Sequence, residues 1–430
     1  MLRVRCALWV AALITAAFGV VPAVAGATQL PGISSEFRYG PFVVSGDDQV
    51  LIPDYEIRHT GISSPTETQQ DVNLFGSGHG PRAITKIRLP GEGVPKLAAA
   101  GGPAAVAWVE PPWAQPPCPH VPRCAGVYSA LTAQLKRSEP IAGQTLSPVR
   151  IAANRYGDRL MAWTEADGLH VQLIDANGAT QPPTTVAPTS ARRYQISLAD
   201  NDVGWVAWQS AKHLFVARVA GGTAATPIDL GRAPSSFEQG ADSRGGLFLL
   251  TQGDRPRLLH LGGSAPARTA IAVPVGSELA VDRTGAVIAS ADRTLLLRRV
   301  NADGQASRPA PIEVPRPKGG LAFVYVQGVA VDQSDGTVHA LLQDGRRSLI
   351  VDATRRLRPL RRRTIASHQD AVQIAAGSHG FYAASTERGV VADFGCDTCD
   401  SDLTHVDRLT VSVFRNGKRI GAQTFDDQTP

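Results

Sequence analysis

Residues 328–346 read GVAVDQSDGTVHALLQDGR, and their pattern decides the fold. An apolar run ends at Asp332, a polar turn extends to Gly336, and a second apolar run starts at Thr337. An Asp side chain can bond the backbone two residues further along the chain, and Gly adopts a positive φ, so this combination favours a tight turn. The stretch therefore predicts two antiparallel β-strands joined as a hairpin.

The second apolar run of this hairpin recurs along the chain, with successive copies 40 to 55 residues apart. A turn precedes each copy and a third strand follows most of them, which predicts a four-stranded antiparallel meander as the repeating unit. A period of about 40 to 50 residues without helical patterning indicates propeller blades. The copies are AVAWVE (105–110), LMAWTE (160–165), WVAWQS (205–210), LFLLTQ (247–252), VIASAD (287–292), VHALLQ (338–343) and FYAAST (381–386).

We therefore predict an all-β fold, a β-propeller of seven or eight four-stranded antiparallel blades. The first unit departs from the others because Pro53 falls in its middle strand, where a backbone donor is needed. In that unit, residues 84–92 are expected to form the third strand. The predicted blades cover residues 36–92, 95–146, 148–190, 193–231, 236–275, 277–315, 324–365 and 369–427.

Two segments carry a family resemblance. VQGVAVDQSDGTVHALL (326–342) and ELAVDRTGAVIASAD (278–292) resemble NHL-type and related bacterial propeller repeats. The rest of the chain matches these repeats only as a pattern, and the marks of WD repeats and the full sialidase Asp box are missing. The resemblance implies a fold and transfers no catalytic residue.

The N-terminus has the features of an export signal. The chain begins with the basic stretch MLRVR, continues with an apolar run over residues 6–25, and reaches small residues at 23–27 that suit cleavage. This pattern predicts a signal peptide at 1–27, with one propeller domain at 28–430. An uncleaved membrane anchor is the alternative, because the apolar run approaches the length of a bilayer span. The expected location is outside the cell or at its surface.

Charge excludes one class of function. The formal net charge is +5, and it falls to +3 once Arg3 and Arg5 are removed with the signal peptide. So mild an excess over a chain of this length does not indicate nucleic-acid binding.

Four cysteines remain after processing, in two close pairs: Cys118 with Cys124 and Cys396 with Cys399. In an oxidising compartment, this arrangement predicts disulfides, with local pairing as the simplest of three connectivities. A four-thiolate zinc site is the alternative. No cofactor is expected.

Two segments are candidate contact sites for a ligand or partner. The insertion EPPWAQPPCPHVPRC (110–124) would hold Trp113 and His120 on a stiff loop, or it is decorative. The second segment, RRLRPLRRR, is a basic patch for an anionic polymer, or a solvated sheet edge that discourages strand pairing. Its arginines are Arg355, Arg356, Arg358, Arg361, Arg362 and Arg363.

Carboxylates recur at the ends of the first strands. Four such groups around one axis would suit Ca²⁺, whereas the following glycines indicate that each carboxylate satisfies its own turn. The four residues are Asp200, Asp242, Asp282 and Asp332.

The first strands, which face the central channel of a propeller, consist mainly of Ala, Val, Leu and Ile. Such side chains have few groups that could polarise a substrate. We therefore expect an exported, monomeric, non-catalytic scaffold that binds an extracellular protein or an anionic or polysaccharide ligand. The alternative is a propeller hydrolase or lyase that acts on extracellular polysaccharide through channel carboxylates, with or without Ca²⁺.

Overall fold

The computed structural model describes the chain from residue 33 to residue 425 with gaps. It contains 34 β-strands, and within the described residues it contains no helix, so no helix there could cross a membrane. The predicted signal peptide lies outside this part of the chain. The described ranges are 33–39, 42–46, 48–60, 65–75, 84–89, 92–110, 124–131, 134–137, 149–188, 191, 193–262, 268–314, 324–344, 347–367, 370–377, 380–392, 403–415 and 418–425.

The strands fall into eight consecutive units, with β1 as an additional strand before the first unit. The first half of the chain contains β1 (Ile33–Tyr39), β2 (Val43–Val44), β3 (Val50–Thr60), β4 (Pro65–Phe75), β5 (Ile84–Leu89), β6 (Glu92–Ala98), β7 (Ala105–Glu110), β8 (Cys124–Leu131), β9 (Gln134–Arg137), β10 (Arg150–Ala153), β11 (Arg159–Glu165), β12 (Gly168–Ile174), β13 (Thr184–Ala187), β14 (Arg193–Leu198), β15 (Gly204–Ser210), β16 (His213–Ala220), β17 (Thr223–Ala224) and β18 (Ile228–Arg232). The second half contains β19 (Ser236–Ala241), β20 (Leu247–Gln252), β21 (Arg257–Leu261), β22 (Arg268–Ala272), β23 (Glu278–Asp282), β24 (Gly285–Ala291), β25 (Thr294–Asn301), β26 (Ala310–Glu313), β27 (Tyr325–Val331), β28 (Val338–Asp344), β29 (Arg347–Ala353), β30 (Pro359–Ser367), β31 (Asp370–Ala376), β32 (Phe381–Ala392), β33 (Leu403–Arg415) and β34 (Lys418–Phe425).

Blades 2 to 7 are separate antiparallel sheets whose strands follow one another in chain order. Blade 4 has a divided outer edge, because both β17 and β18 pair with β16. Blade 1 consists of β2 to β5, so residues 84–89 form its fourth strand rather than the third, since β4 lies between them and β3.

Blades 1 and 8 are joined through β1. This strand pairs antiparallel with β3 and parallel with β33, which connects both blades in one nine-stranded sheet. The first strands of successive blades contact one another from β6 through β31, and β31 contacts β2. Between blades 1 and 2, the Gly46 amide donates to the Gly102 carbonyl at 2.7 Å. Eight first strands thus surround one axis, and the predicted propeller is confirmed with eight blades.

Side chains from opposite ends of the chain close this ring. The Phe42 amide donates to Oε1 of Gln373 at 2.8 Å, and Nε2 of Gln373 donates back to the Phe42 carbonyl at 2.7 Å. The Tyr382 hydroxyl donates to the Asp48 carbonyl at 3.3 Å. Blade 8 therefore binds the backbone of blade 1 directly.

The core lies within and between the blades. Second strands are deeply buried, because both of their faces pack against neighbouring blades. Trp163, only 1% exposed, packs against Ala105 and Ala107 of blade 2, and Trp208 packs against the side chains of blade 3. These tryptophans are therefore part of the inter-blade core.

Candidate functional site

The predicted contact loop lies outside the described residues, as do Trp113 and His120 within it. Cys118, Cys396 and Cys399 also lie outside them, and Cys124 is placed only as the first residue of β8. The disulfide pairs and the loop contacts remain predictions.

The predicted basic patch follows the outer edge of blade 7. Arg355, Arg356 and Arg358 lie exposed in the turn between β29 and β30, and Arg361 and Arg362 are exposed on β30, the outermost strand of its sheet. The patch therefore extends over a convex sheet edge.

Arg363 differs from the rest of the patch because its side chain is directed inward. Its guanidinium pairs with Asp352 and lies 5.0 Å from the ring centre of Phe381 and 5.4 Å from that of Phe414. Nδ1 of His339 lies 2.9 Å from the other oxygen of Asp352. Burial lowers the pKa of Arg363, and burial together with the nearby Arg363 charge lowers the pKa of His339 to about 4. His339 is therefore neutral at pH 7, and Arg363 packs between blades 7 and 8.

The first-strand carboxylates bond within their own surroundings. Oδ1 of Asp242 accepts from the amides of Arg244 and Gly246 at 2.9 and 2.8 Å. Oδ1 of Asp282 accepts from the Thr284 amide and hydroxyl, and its other oxygen lies 2.5 Å from the Arg299 guanidinium.

The remaining two carboxylates follow the same scheme. Oδ1 of Asp332 accepts from the Ser334 amide and hydroxyl at 2.8 and 2.6 Å. Asp200 pairs with Nε of Arg155 at 3.2 Å. Each carboxylate thus has a partner in a turn or an arginine, while Oδ2 of Asp242 is buried and makes no hydrogen bond within the described residues.

The first strands enclose a central channel of about 500 Å³. Its wall contains aliphatic and small side chains from six blades, such as Leu97, Ile151 and Val281. The polar groups in the wall are few, namely Gln195, Ser197, Glu238 and Gln239. The amide nitrogen of Gln239 is already used in hydrogen bonds, because it donates to Ser197 Oγ and to the Trp205 carbonyl at 3.1 Å each.

Two glutamates on neighbouring first strands, Glu238 on β19 and Glu278 on β23, interact electrostatically, and Glu238 lines the channel. Burial raises the pKa of Glu238, and a hydrogen bond from the Leu279 amide opposes that effect. Burial and the nearby Glu238 charge raise the pKa of Glu278 from 4.5 to about 7. Glu278 therefore exchanges its proton near neutral pH.

A second cavity, of about 590 Å³, lies between the outer strands of blades 4 and 5. Four arginines, Arg232, Arg255, Arg257 and Arg268, line it together with a single carboxylate, Asp254. The lining thus carries a formal charge of +3. We refer to it as the arginine cavity.

Three segments build the arginine cavity. Arg232 ends β18 on the edge of blade 4, and Arg268 begins β22 on the edge of blade 5. Arg255 lies in the turn between β20 and β21, where Gly253 adopts a φ of 138° that favours glycine. The Ser235 amide donates to the Gln252 carbonyl at 3.1 Å and fixes this turn against the connection from blade 4.

The cavity arginines differ from other arginines in blades 5 and 6. Arg244 pairs with Asp303 at 3.1 Å, and Arg299 pairs with Asp282 at 2.5 Å. Across the described residues, no salt bridge joins a cavity arginine to a carboxylate. Each guanidinium therefore retains donors for an external anion.

Within the described part of the chain, the residues most suited to a metal lie elsewhere, on the β11–β12 hairpin. Ligand atoms of Glu165, Asp167 and His170 lie within 4.8 Å of one another. They also bond locally: Nε2 of His170 lies 2.8 Å from Asp167, and the Trp163 indole donates to Glu165 at 2.6 Å. The hairpin offers one imidazole nitrogen and two carboxylates, a donor set suited to a borderline divalent metal.

Comparison with solved structures finds distant likenesses. The chain is 8% identical to Sqt1 of Saccharomyces cerevisiae, with a TM-score of 0.43 over 77% of this chain and 95% of that one. It is 12% identical to the Cps50 (Swd1) β-propeller domain of Myceliophteria thermophila, with a TM-score of 0.38 over 61% and 89%. It is 10% identical to an acylaminoacyl peptidase of Pyrococcus horikoshii, with a TM-score of 0.43 over 87% of this chain and 57% of the peptidase.

No family model matches the sequence, and a search of curated proteins finds no match. The fold assignment therefore rests on the chain's own sheets and ring closure.

The sequence pattern did not point to the arginine cavity. Its four arginines come from three separate segments, GR (231–232), GDRPR (253–257) and AR (267–268), none of which is notably basic alone. The first segment ends β18, the second leads from the turn after β20 into β21, and the third leads into β22, so no single stretch of sequence signals that their arginines share one face.

Proposed function

We propose that this protein is an exported, non-catalytic β-propeller that binds an anionic ligand outside the cell or at its surface. The observation that carries the proposal is the arginine cavity, where four guanidinium groups without carboxylate partners surround one concavity. Guanidinium groups form paired, charge-assisted hydrogen bonds with carboxylates and phosphates, so their convergence favours an anion.

The central channel supports the non-catalytic part of the proposal. Its aliphatic wall has few groups that could polarise a substrate, and the first-strand carboxylates are used in their turns and ion pairs. In a repeat scaffold of this kind, ligand choice depends on the side chains displayed between rigid blades.

Equilibrium binding to labelled polyphosphate, labelled galacturonate oligomers and neutral dextran tests the proposal. The double variant Arg255→Gln/Arg257→Gln should weaken binding of whichever polyanion binds the native protein. Arg293→Gln is the matched control, because Arg293 lies exposed in the corresponding turn of blade 6, between β24 and β25. The proposal fails if neither polyanion binds, or if both variants weaken binding equally.

One observation favours the second candidate, a hydrolase or lyase acting on extracellular polysaccharide. Glu238 and Glu278 form a carboxyl pair in which one member has a pKa of about 7, as a general acid requires. Release of reducing ends or unsaturated products from polysaccharides by the native protein, and its loss in Glu278→Gln, would support that activity over a binding role.

A further inference from the structure

We infer that the ligand of the arginine cavity is a carboxylate-bearing oligosaccharide, that is, an oligomer of uronate sugars. This inference rests on the proposed function and identifies the chemical class of its ligand. Three features of the cavity support it: the separation of its charges, its apolar floor, and its one carboxylate.

The arginines of the cavity come from both ends of a strand pair. In the β21–β22 pair, Arg257 lies opposite Ala272, whereas Arg268 lies opposite Leu261 at the other end of the strands. Four residues of strand separate these backbone positions, which corresponds to about 13 Å. A chain with repeated negative charges can pair with both arginines in extended conformations, whereas a single carboxylate or phosphate would have to draw both side chains to one point.

The floor of the cavity is apolar in part. Leu230 and Pro234 are half-buried and keep apolar surface in the lining, whereas Leu214 and Leu259, 2% and 3% exposed, belong to the core cluster on which Leu230 packs. Sugar rings have C–H faces that pack on aliphatic side chains, whereas a polyphosphate chain has no apolar surface. Concave sites that combine an apolar lining with a few polar groups are typical of organic ligands.

Asp254 favours a ligand that also carries hydroxyl groups. It is exposed beside Arg255 in the cavity lining, where it would repel a polymer consisting only of anionic groups. A carboxylate accepts hydrogen bonds from sugar hydroxyls. The Ser235 hydroxyl in the same lining adds a further donor and acceptor. A uronate oligomer supplies carboxylates together with a hydroxyl donor on every sugar ring, whereas a polyphosphate supplies charge without donors and an acidic peptide supplies only its backbone amides as donors.

Calorimetric titration of the full mature protein tests the ligand class, with four probes of matched length. These are a galacturonate oligomer, its methyl-esterified form, polyphosphate and poly-glutamate. The galacturonate oligomer should bind at least tenfold more tightly than any other probe. If polyphosphate or poly-glutamate binds as tightly, the inference is overturned while the proposed function stands. If no anionic probe binds, both are overturned.

Two variants examine the stated contacts. Arg268→Gln should weaken binding of a long galacturonate oligomer to the level of a short one and leave the short one unaffected. Asp254→Asn should weaken galacturonate binding and strengthen polyphosphate binding. Asp292→Asn, in the corresponding turn of blade 6, should change neither. The inference would be contradicted if Arg268→Gln weakened binding of the long and the short oligomer equally. It would also be contradicted if Asp254→Asn strengthened binding of galacturonate and polyphosphate equally.

Discussion

The arginine cavity and the basic patch of blade 7 contain similar numbers of arginines in different settings. The patch places its arginines within nine consecutive residues, on and beside one outer strand. The cavity collects its arginines from three segments of two blades around a concave surface. Density of charge along the chain therefore did not indicate where charges converge in space.

The two regions also use their arginines differently. In the patch, Arg363 is committed to Asp352 and two aromatic rings, and the exposed members lie over a convex edge. The cavity arginines have no salt-bridge partner among the described carboxylates. Ligand binding requires both unused donors and a surface that surrounds the ligand, and only the cavity combines them.

The largest expected effect is a loss of stability when Arg363, the inward-directed arginine of the patch, is replaced, compared with replacement of an exposed arginine of the same patch. Arg363→Gln should lower the free energy of unfolding by about 3 kcal/mol, because the buried Asp352 carboxylate loses its charged partner and keeps only the neutral His339. Arg362→Gln, on the same exposed strand, should change it by no more than about 0.5 kcal/mol. Urea unfolding measures both. Equal effects would show that Arg363 is an ordinary surface arginine.

The next effect separates the two regions as ligand sites. Arg255→Gln/Arg257→Gln should weaken binding of a galacturonate oligomer about 30-fold, roughly 2 kcal/mol, because two charge-assisted hydrogen-bond donors are lost. Arg361→Gln/Arg362→Gln removes the same amount of charge from the patch and should weaken binding of the galacturonate oligomer less than about threefold. Titrations at two salt concentrations measure both. The reverse order would place the ligand on blade 7.

A smaller effect concerns pH and the channel. Because the folded protein raises the pKa of Glu278 from 4.5 to about 7, it holds a proton that the unfolded chain releases. The free energy of unfolding should therefore fall as pH rises from 4.5 to 7 and level off above. Glu278→Gln should remove this fall, on the order of 1 to 2 kcal/mol after allowance for partial solvent exposure.

Urea unfolding at pH 4.5, 6 and 8 measures that dependence, with Glu313→Gln on the outer strand β26 as the control. Ligand binding in the arginine cavity should stay constant over this range, because arginines remain charged. Binding that follows the titration of Glu278 would instead place the ligand in the channel.

Metal removal should have the smallest effect. The turn carboxylates are bonded to amides, hydroxyls and arginines, so a chelator should leave both the melting temperature and galacturonate binding unchanged. Calorimetric melting and titration with and without EDTA measure these quantities. A lower melting temperature would favour a bound metal, either Ca²⁺ at Asp200, Asp242, Asp282 and Asp332 or a divalent metal at Glu165, Asp167 and His170. Loss of galacturonate binding with an unchanged melting temperature would favour a metal ion that bridges the protein and the ligand.

Most of the fold could be predicted from the repeated turns. An Asp at the end of a first strand followed by Gly specifies a local geometry, and the same chemistry occurs at Asp242 and Asp332. Blade 1 was harder to define because its first strand, Val43–Val44, has only two residues. Pro53 lies within β3 opposite Val72, so one proline did not prevent pairing there.

The candidate sites could be predicted only in part. A motif can indicate a turn because its residues are adjacent, whereas the arginine cavity depends on the contact of two blade edges. The raised pKa of Glu278 likewise arises from burial and from Glu238, forty positions earlier in the chain. Neither feature has a signature within any single repeat.

The bonds between Phe42 and Gln373 also bear on how the chain folds as it emerges from a ribosome or a translocation pore. These partners are separated by 331 residues, so blade 1 cannot be completed until most of the polypeptide has been delivered. Until then, the first and the most recently formed blades expose faces that the finished ring covers. A chain stalled before Gln373 would therefore present unpaired β-structure to proteases and chaperones.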